Sequence, residues 1–187
     1  MEENITGKTI LLQRECEALL IPHGYSITLV EGSVVRVTQA LGDNFTLEIQ
    51  GNLVLLMGED REALGLLPMQ EEDHPLLLDP QVSLQDKCMY QLKRCYDPEI
   101  PVNIVDLGLV YGCQLQPYPQ NPVLQKAHVS MTLTAPTCGM GPVLVEDVKR
   151  KISQLESIGA VDVELVFDPP WSQDMMTDGA KLQLGLL

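Results

Sequence analysis

The spacing of apolar residues changes partway along this chain, and that change limits the possible folds more than any other feature of the sequence. Up to residue 66, short runs alternate apolar with polar side chains and are separated by glycines, which is typical of β-strands and turns. From residue 83 onward, apolar residues such as Leu84, Cys88 and Leu92 recur at helical spacing between further strand-like runs. The sequence therefore predicts an α+β fold: a small N-terminal all-β region followed by an α/β region around a small mixed sheet.

An acidic segment that contains prolines separates the two regions. Residues 67–82 hold three prolines, four acidic residues and no basic residue, and their apolar side chains follow no period. Such a composition is typical of a connection between folded units. We therefore expect an N-terminal β-rich domain at residues 1–66, a linker at 67–82 and an α/β domain at 83–187.

The alternating runs predict the strands. In the first region a small meander or barrel is expected, and in the second a hairpin is followed by a crossover helix and a strand that pairs in parallel. The predicted strands are residues 26–30, 34–38, 45–49 and 52–57 in the first region, and 109–115, 127–133 and 161–167 in the second.

Helix signals complete the second region. Ser83 is expected to cap its first helix and Ser172 a final short helix. In the crossover helix, a polar stripe that includes Asp147 and Lys151 lies opposite the apolar one. The hairpin strand at 127–133 is expected to carry a polar face that includes Thr132.

Charge and cysteine usage limit the functional classes. The chain has 26 acidic and 12 basic residues, a net charge of −14, which disfavours binding to nucleic acid or to an anionic membrane surface. The start of the sequence is acidic, unlike a secretory signal, and no apolar run approaches the roughly 20 residues that span a bilayer. The five cysteines are odd in number and form no Cys-x-x-Cys pair, which suits reduced thiols. We therefore expect a cytoplasmic protein.

Cys138 lies where a strand leads into the crossover helix, and this junction is the strongest candidate for chemistry. The first amides of a helix lack acceptors within the helix and carry partial positive charge, which favours a thiolate nearby. Gly139 and Gly141 leave the backbone bare beside the sulfur, and Pro142 suits a first helical turn. A thiolate attacks electrophiles and binds soft metals. The alternative is that Cys138 only fills a turn and has no chemical role. The sequence predicts such a purely structural role, packing in the core, for Cys88, Cys95 and Cys113.

A second candidate segment runs from the end of the first helix into the first strand of the hairpin. It contains Asp97, Glu99 and Asp106, and its two prolines stiffen it so that these carboxylates are held in place. The alternative is a turn in which the Asp97 side chain bonds its own backbone.

Three motifs in this order resemble a known family. They read Asp-Pro-Glu-Ile-Pro-Val-Asn-Ile-Val-Asp-Leu-Gly-Leu-Val from position 97, Met-Thr-Leu-Thr-Ala-Pro-Thr-Cys-Gly-Met-Gly from 131, and Val-Glu-Leu-Val-Phe-Asp-Pro-Pro-Trp-Ser-Gln-Asp-Met-Met from 163. Together they are similar to the MIP-type domain of iron-sulfur cluster assembly, and the N-terminal part is similar to bacterial SufT proteins. The resemblance covers nearly the whole chain.

The resemblance implies a maturation factor for iron-sulfur proteins, not an enzyme. By position, Cys138 is the reactive thiol and the metal ligand, Asp97, Glu99 and Thr134 lie beside it, and Asp106 supports the site. The sequence departs from some relatives at residue 135, where an alanine replaces a second threonine and removes its hydroxyl.

A cluster generally takes four protein ligands, and only Cys138 is expected to be both exposed and activated. We therefore expect transient binding of iron or of an iron-sulfur cluster, with the remaining ligands from a carrier protein, a client protein or a second copy of this chain in a homodimer.

Two alternatives stay open. A cysteine-dependent hydrolase or transferase would use Cys138 as nucleophile and needs a base, for which the chain offers His23, His74 and His128. An adaptor would dock a partner through the N-terminal region without touching metal.

Overall fold

A computed structural model describes residues 5–67, 74–136 and 138–187. The chain divides into two compact units, Met1–Glu72 and Asp73–Leu187. The architecture is α+β, with a large antiparallel sheet, a smaller mixed sheet and a few helices, as the sequence predicts. The division falls inside the predicted linker, of which residues 68–73 lie outside the described residues. The exact domain boundaries stay a prediction.

The first unit is built on six strands, all paired antiparallel in the order β1-β4-β5-β6-β2-β3. One side of the sheet buries an aliphatic core that includes Val37, Leu47 and Leu56, each fully buried. The strands are β1 (Thr9–Leu11), β2 (Cys16–Leu20), β3 (Tyr25–Leu29), β4 (Val34–Leu41), β5 (Asn44–Ile49) and β6 (Asn52–Leu56), followed by a 3₁₀ helix at Gly58–Leu64.

Four of these strands match the predicted ones, and the hairpin between β5 and β6 shows why. Its two-residue turn, Gln50 and Gly51, has positive φ at both positions (52° and 80°), the turn that matches the twist of the flanking strands. β1 and β2 were not predicted. β1 has three residues, too few to show a period, and β2 (Cys-Glu-Ala-Leu-Leu) contains no β-branched residue.

The second unit contains a three-stranded sheet in the order β7-β8-β9. β7 pairs antiparallel with β8, and β8 pairs parallel with β9, as the crossover predicts. Ala127, Val129 and Met131 of β8 are fully buried in the core that the helices cover. The strands are β7 (Val110–Pro117), β8 (Gln125–Met131) and β9 (Ile158–Leu165), so β9 starts and ends earlier than the predicted 161–167.

The described residues of the second unit form four α-helices. Ser83 caps α2 as predicted, since its Oγ accepts from the Asp86 amide at 3.1 Å. The final helix is different: Thr177 caps it through Oγ1, whereas Ser172 precedes a 3₁₀ turn at Gln173–Met175 and makes no capping bond. The Ser172 prediction is therefore wrong. The helices are α1 (Pro75–Leu78), α2 (Leu84–Leu92), α3 (Gly141–Ser153) and α4 (Asp178–Gln183).

α1 lies within the predicted linker segment and belongs to the second unit. His74 Nδ1 accepts from the Leu76 amide at its start, Lys87 Nζ donates to the Leu77 carbonyl at 2.6 Å, and Leu77 packs against the core. The sequence shows no period here because the helix has only four residues.

Two polar predictions are wrong in the second unit. Asp147 and Lys151, expected on the polar stripe of α3, are 3% and 1% exposed, because they pair with each other and Lys151 also donates to the Arg94 carbonyl. Thr132, expected on a polar strand face, is fully buried where the chain leaves β8. Cys88 and Cys95 are fully buried, as predicted.

Candidate functional site

The segment between β8 and α3 places Cys138 just before the helix. Met140 is the N-cap of α3 and Pro142 lies in its first turn, so Cys138 lies three residues before the first helical residue. Its amide donates to the Ala135 carbonyl, and its carbonyl accepts from the Gly141 amide, both at 3.1 Å. The first helical amide is therefore used by the backbone of Cys138. Thr137 lies outside the described residues.

The Cys138 side chain is partly buried and packs against the apolar core of the second unit. Gly139 beside it is exposed, and Met140 after it is buried. The sulfur therefore lies at the margin between core and solvent, less open than the sequence predicts. Its ionisation stays a prediction.

Three of the other cysteines are more buried than Cys138, whereas Cys113 is partly buried, as Cys138 is. Cys16 and Cys95 are buried, and burial raises the pKa of each thiol, so both stay protonated near neutral pH. Cys88 is fully buried, and Cys113 is partly buried on β7.

The Asp97 side chain is buried and is bonded to its own turn. Its carboxyl is buried, and Oδ1 accepts from the Glu99 amide at 2.9 Å, which is the local turn that the sequence offered as an alternative. Burial raises the pKa of Asp97, and hydrogen bonds from the Glu99 and Ile100 amides offset part of that rise. The Glu99 side chain is exposed, so of these two carboxylates Glu99 is the one available to a ligand.

Asp106 is fixed by a neighbouring asparagine. Asn103 Nδ2 donates to Asp106 Oδ2 at 2.7 Å, and Asn103 Oδ1 accepts from the amides of Val105 and Asp106 at 3.1 and 2.9 Å. Lys93 Nζ lies 3.8 Å from Asp106 Oδ1. These bonds give Asp106 a role in shaping its loop, in keeping with the supporting position expected for it.

The C-terminal segment braces the same loop. Trp171 Nε1 donates to the Leu107 carbonyl at 2.8 Å, and the Thr177 amide donates to the Asp106 carbonyl at 2.9 Å. Gly108 has φ of +74°, and a Cβ there would overlap the Met175 carbonyl oxygen. Only glycine therefore fits at this crossing. The family resemblance includes this segment, but no local pattern in the sequence predicts its contacts with the loop.

The loop also joins the strand that leads to Cys138. The Thr132 amide donates to the Leu109 carbonyl at 2.8 Å, so the backbone after Asp106 pairs with the start of the junction. Thr132 Oγ1 is buried and has no hydrogen-bond partner among the described residues. All three sequence motifs thus meet in one part of the second unit. Thr134, two residues further along, is partly buried, and Ala135 is exposed.

Direct contacts between the predicted site residues are fewer than the sequence suggests. Over residues 5–67, 74–136 and 138–187, no hydrogen bond or ion pair joins Cys138 to Asp97, Glu99 or Asp106. Nor does this part of the chain contain a group of three or more His, Cys, Asp or Glu side chains that could hold a metal ion. The predicted site residues therefore lie on neighbouring loops, and the thiol among them, that of Cys138, lies just before α3.

The three histidines are engaged elsewhere. His128 Nε2 lies 3.4 Å from Glu164 Oε2 on the sheet, His74 stacks on Tyr90, and His23 stacks on Tyr25. Within the described residues, none forms a hydrogen bond with Cys138.

Comparison with known proteins identifies the family. A family model described as "Iron-sulfur cluster assembly protein" matches residues 86–165. A Porphyromonas gingivalis protein named Fe-S protein maturation auxiliary factor is 38% identical over 103 residues, which are 55% of this chain and 92% of the relative. The chain belongs to the iron-sulfur cluster assembly protein family.

Two further curated relatives agree with this membership. The Fe-S protein maturation auxiliary factors YitW of Bacillus subtilis and SufT of Staphylococcus aureus are 35% and 38% identical, over 56% and 48% of this chain and 96% of each relative. A crystal structure of a domain of unknown function, DUF59, from Bacillus anthracis is 33% identical over 56% of this chain and 93% of that one, with a TM-score of 0.47.

The family match contains all five predicted site residues, whereas the six-stranded sheet lies outside it. These relatives are named as auxiliary factors and not as enzymes. Among the described residues of this family member, no helix is long and apolar enough to cross a bilayer.

Proposed function

We propose that this protein is an auxiliary factor in the maturation of iron-sulfur proteins, and that Cys138 is the residue that contacts the cargo. The observation that carries the proposal is the position of Cys138, at the margin of the core just before α3, within the segment that the family model matches. The names of the relatives support the biological role.

The cargo is iron or an iron-sulfur cluster, and it is bound transiently. A two- or four-iron cluster generally takes four protein ligands, mostly thiolates. Cys138 offers one sulfur, and the described part of the chain offers no group of three ligands that could hold a metal. Further ligands therefore come from a carrier protein, a client protein or a second copy of this chain.

The neighbouring carboxylates have different roles in this proposal. In this proposal the exposed Glu99 side chain contacts the cargo or the partner protein, whereas Asp97 and Asp106, which bond within their own turns, position the loop. Thr134 lies four residues before Cys138, and in this proposal its hydroxyl contributes to the same site. Iron, a hard or borderline cation, accepts both carboxylate and thiolate ligands.

Partners and location follow from this role. We propose that the protein acts in the cytoplasm on carrier or client proteins, and that Met1–Glu72, outside the family match, provides a docking surface for one of them.

Anaerobic loading with iron and sulfide tests the proposal. The protein is incubated with both and analysed by absorbance and by mass spectrometry under native conditions, beside Cys138→Ser and the matched control Cys16→Ser in the first unit. We expect the wild type and the control to bind iron that a chelator removes quickly, and Cys138→Ser to bind none.

Other outcomes contradict the proposal. A monomer that retains a full cluster against the chelator contradicts transient binding, and equal iron in Cys138→Ser contradicts the role of the thiol and favours a metal-free adaptor. Turnover of a thioester that Cys138→Ser abolishes favours a hydrolase or transferase.

A further inference from the structure

The three-stranded sheet of the second unit has one edge strand, β9, whose outer side is left open by the described residues. β9 pairs with β8 through its even-numbered residues, since the amide of Val166, immediately after the strand, donates to the Met131 carbonyl at 2.8 Å. Successive residues of a strand direct their amide and carbonyl groups to opposite sides. The backbone groups of Val161, Val163 and Leu165 therefore face away from β8.

These outward backbone groups are unpaired. Over residues 5–67, 74–136 and 138–187, no hydrogen bond involves the amide or the carbonyl of Val161, Val163 or Leu165. Their side chains are partly buried and pack against the core, so the edge lies at the surface of the unit. β9 therefore presents a row of free donors and acceptors with which a further strand can pair.

The opposite edge strand, β7, is protected. The Cys113 carbonyl accepts from Gln85 Nε2 at 2.8 Å, so a side chain of α2 occupies part of that edge. Pro117 at the end of β7 has no amide hydrogen to donate. Proteins block exposed edges with such contacts and with prolines, whereas β9 contains no proline.

The solvent face of β9 is acidic. The charged residues of this strand are Asp162 and Glu164, whose side chains are 56% and 61% exposed. Lys126 on β8 contacts Asp162 through Oδ2. His128, also on β8, lies 3.4 Å from Glu164 Oε2. Each carboxylate therefore keeps one oxygen that has no partner among the described residues.

These charges determine which strand the edge can accept. Two copies of β9 paired over their length would bring Asp162 and Glu164 opposite the same carboxylates, and like charges opposite each other destabilise a sheet. A strand with basic residues at these positions gains cross-strand ion pairs instead. Its intervening side chains lie on the same face as Val161, Val163 and Leu165, where apolar residues extend the core.

We propose that the outer side of β9 binds an extended segment of a partner protein in which apolar and basic residues alternate. The segment adds as a fourth strand, antiparallel to β9, and an apolar residue opposite Val163 exchanges both backbone hydrogen bonds with it. The two basic residues that flank it lie opposite Asp162 and Glu164. This inference goes beyond the function proposed above and depends neither on iron nor on Cys138, so either can fail alone.

A fluorescent, end-capped peptide with the sequence Thr-Val-Lys-Val-Lys-Val-Thr tests the edge in the full-length protein. Binding is measured by fluorescence anisotropy, and a matched control peptide has glutamate in place of both lysines. Two further peptides carry an N-methyl group, either on the central valine, whose amide faces β9 in the proposed pairing, or on one lysine, whose amide faces solvent.

The four peptides have distinct expected results. The lysine peptide and its lysine-methylated form should bind, with a dissociation constant that rises with salt concentration. The glutamate peptide and the valine-methylated peptide should bind at least about tenfold more weakly, because one loses the ion pairs and the other loses a backbone hydrogen bond and clashes with the edge.

Two variants of the protein assign the binding to β9. Val163→Pro removes an amide hydrogen on the open side and leaves the bonds to β8 in place, and we expect it to abolish binding of the lysine peptide. The double variant Asp162→Asn with Glu164→Gln changes the charges without changing the backbone, and we expect about fivefold weaker binding with a smaller salt dependence. If Val163→Pro does not fold, the double variant and the methylated peptides decide.

Several results would overturn the proposal. They are failure of the lysine peptide to bind, equal binding of the glutamate peptide, no effect of methylation on the central valine, or binding to both protein variants that equals binding to the wild type. The proposal is also overturned if the protein is a dimer that Val163→Pro converts to a monomer, because the edge is then occupied by a second copy of the chain.

Discussion

Replacing Lys151 by methionine tests whether a buried ion pair holds α3 to the end of α2. Lys151 is 1% exposed, and its Nζ donates to Asp147 Oδ2 at 2.8 Å and to the Arg94 carbonyl at 2.6 Å. Methionine has a similar length but no charge, so the variant leaves one oxygen of a buried carboxylate and one carbonyl without this donor.

The expected cost follows from the partners that remain. Breaking a buried ion pair by removing one partner costs about 3–5 kcal/mol. Arg150 still contacts Asp147 Oδ1 at 2.6 Å, which places the expected value near the lower end, about 3 kcal/mol. With a slope of about 1.5 kcal/mol per molar urea, the midpoint of unfolding falls by about 2 M.

Urea unfolding, monitored by tryptophan fluorescence, measures this cost in the second structural unit, which contains Lys151. Trp171 is the only tryptophan of the chain and lies in the second unit. The matched control is Lys149→Met on the same helix, whose exposed pair with Glu146 is worth at most about 0.5 kcal/mol. If Lys151→Met costs no more than this control, the argument for a stabilising buried pair is refuted.

Three further tests, two of them with a matched control substitution, concern the loops and helix caps of the second unit. Gly108→Ala forces a Cβ against a backbone oxygen at positive φ and should cost about 1–3 kcal/mol in the same assay, whereas Gly112→Ala, which meets nothing within 4 Å, should cost less than 1 kcal/mol; equal costs contradict the close crossing. Ser83→Ala should cost about 1 kcal/mol through loss of its cap, and Ser172→Ala, which has no capping bond, close to nothing; the reverse order contradicts the assigned caps. Asp97→Asn should stabilise the protein at neutral pH. Burial raises the pKa of Asp97, so the folded state holds this proton more tightly than the unfolded state, and stability is lost as pH rises from about 3.9 through the folded pKa. The gain from Asn should therefore vanish below about pH 4, and unfolding curves that show a constant gain from pH 3 to 7 contradict it.

The sequence predicts elements whose signals are local. Ser83 and Asp86 are three residues apart and form the capping contact that their spacing predicts. The parallel pairing of β8 with β9 follows from a strand, a helix and a strand in succession. The position of Cys138 before α3 is also read from adjacent residues.

The wrong predictions concern side chains whose environment is set by distant residues. The sequence predicts a solvated charge at Lys151, but Lys151 is buried, where it donates to the carbonyl of Arg94, 57 residues away, as well as to Asp147 on its own helix. Similarly, Thr132 alternates with polar residues on β8, yet its amide pairs with Leu109 at the point where the chain turns inward. No local pattern reports such contacts.

The loop that carries Asp106 is also held by residues distant in sequence, which local patterns do not predict. Its conformation rests on Trp171 Nε1 reaching the Leu107 carbonyl across 64 residues of sequence. The family resemblance predicts that these motifs belong to one site, but the sequence alone does not show which atoms form the contacts between them.

The most direct measurement of the central claim is protection of one thiol by the cargo. The protein is alkylated under anaerobic conditions with and without iron and sulfide and is then digested with trypsin. The tryptic peptide of residues 127–149, whose only cysteine is Cys138, is quantified by mass spectrometry. Our account predicts that alkylation of Cys138 slows when iron and sulfide are present while that of Cys113 does not change. Equal alkylation of Cys138 in both conditions would contradict the claim that this sulfur takes the cargo.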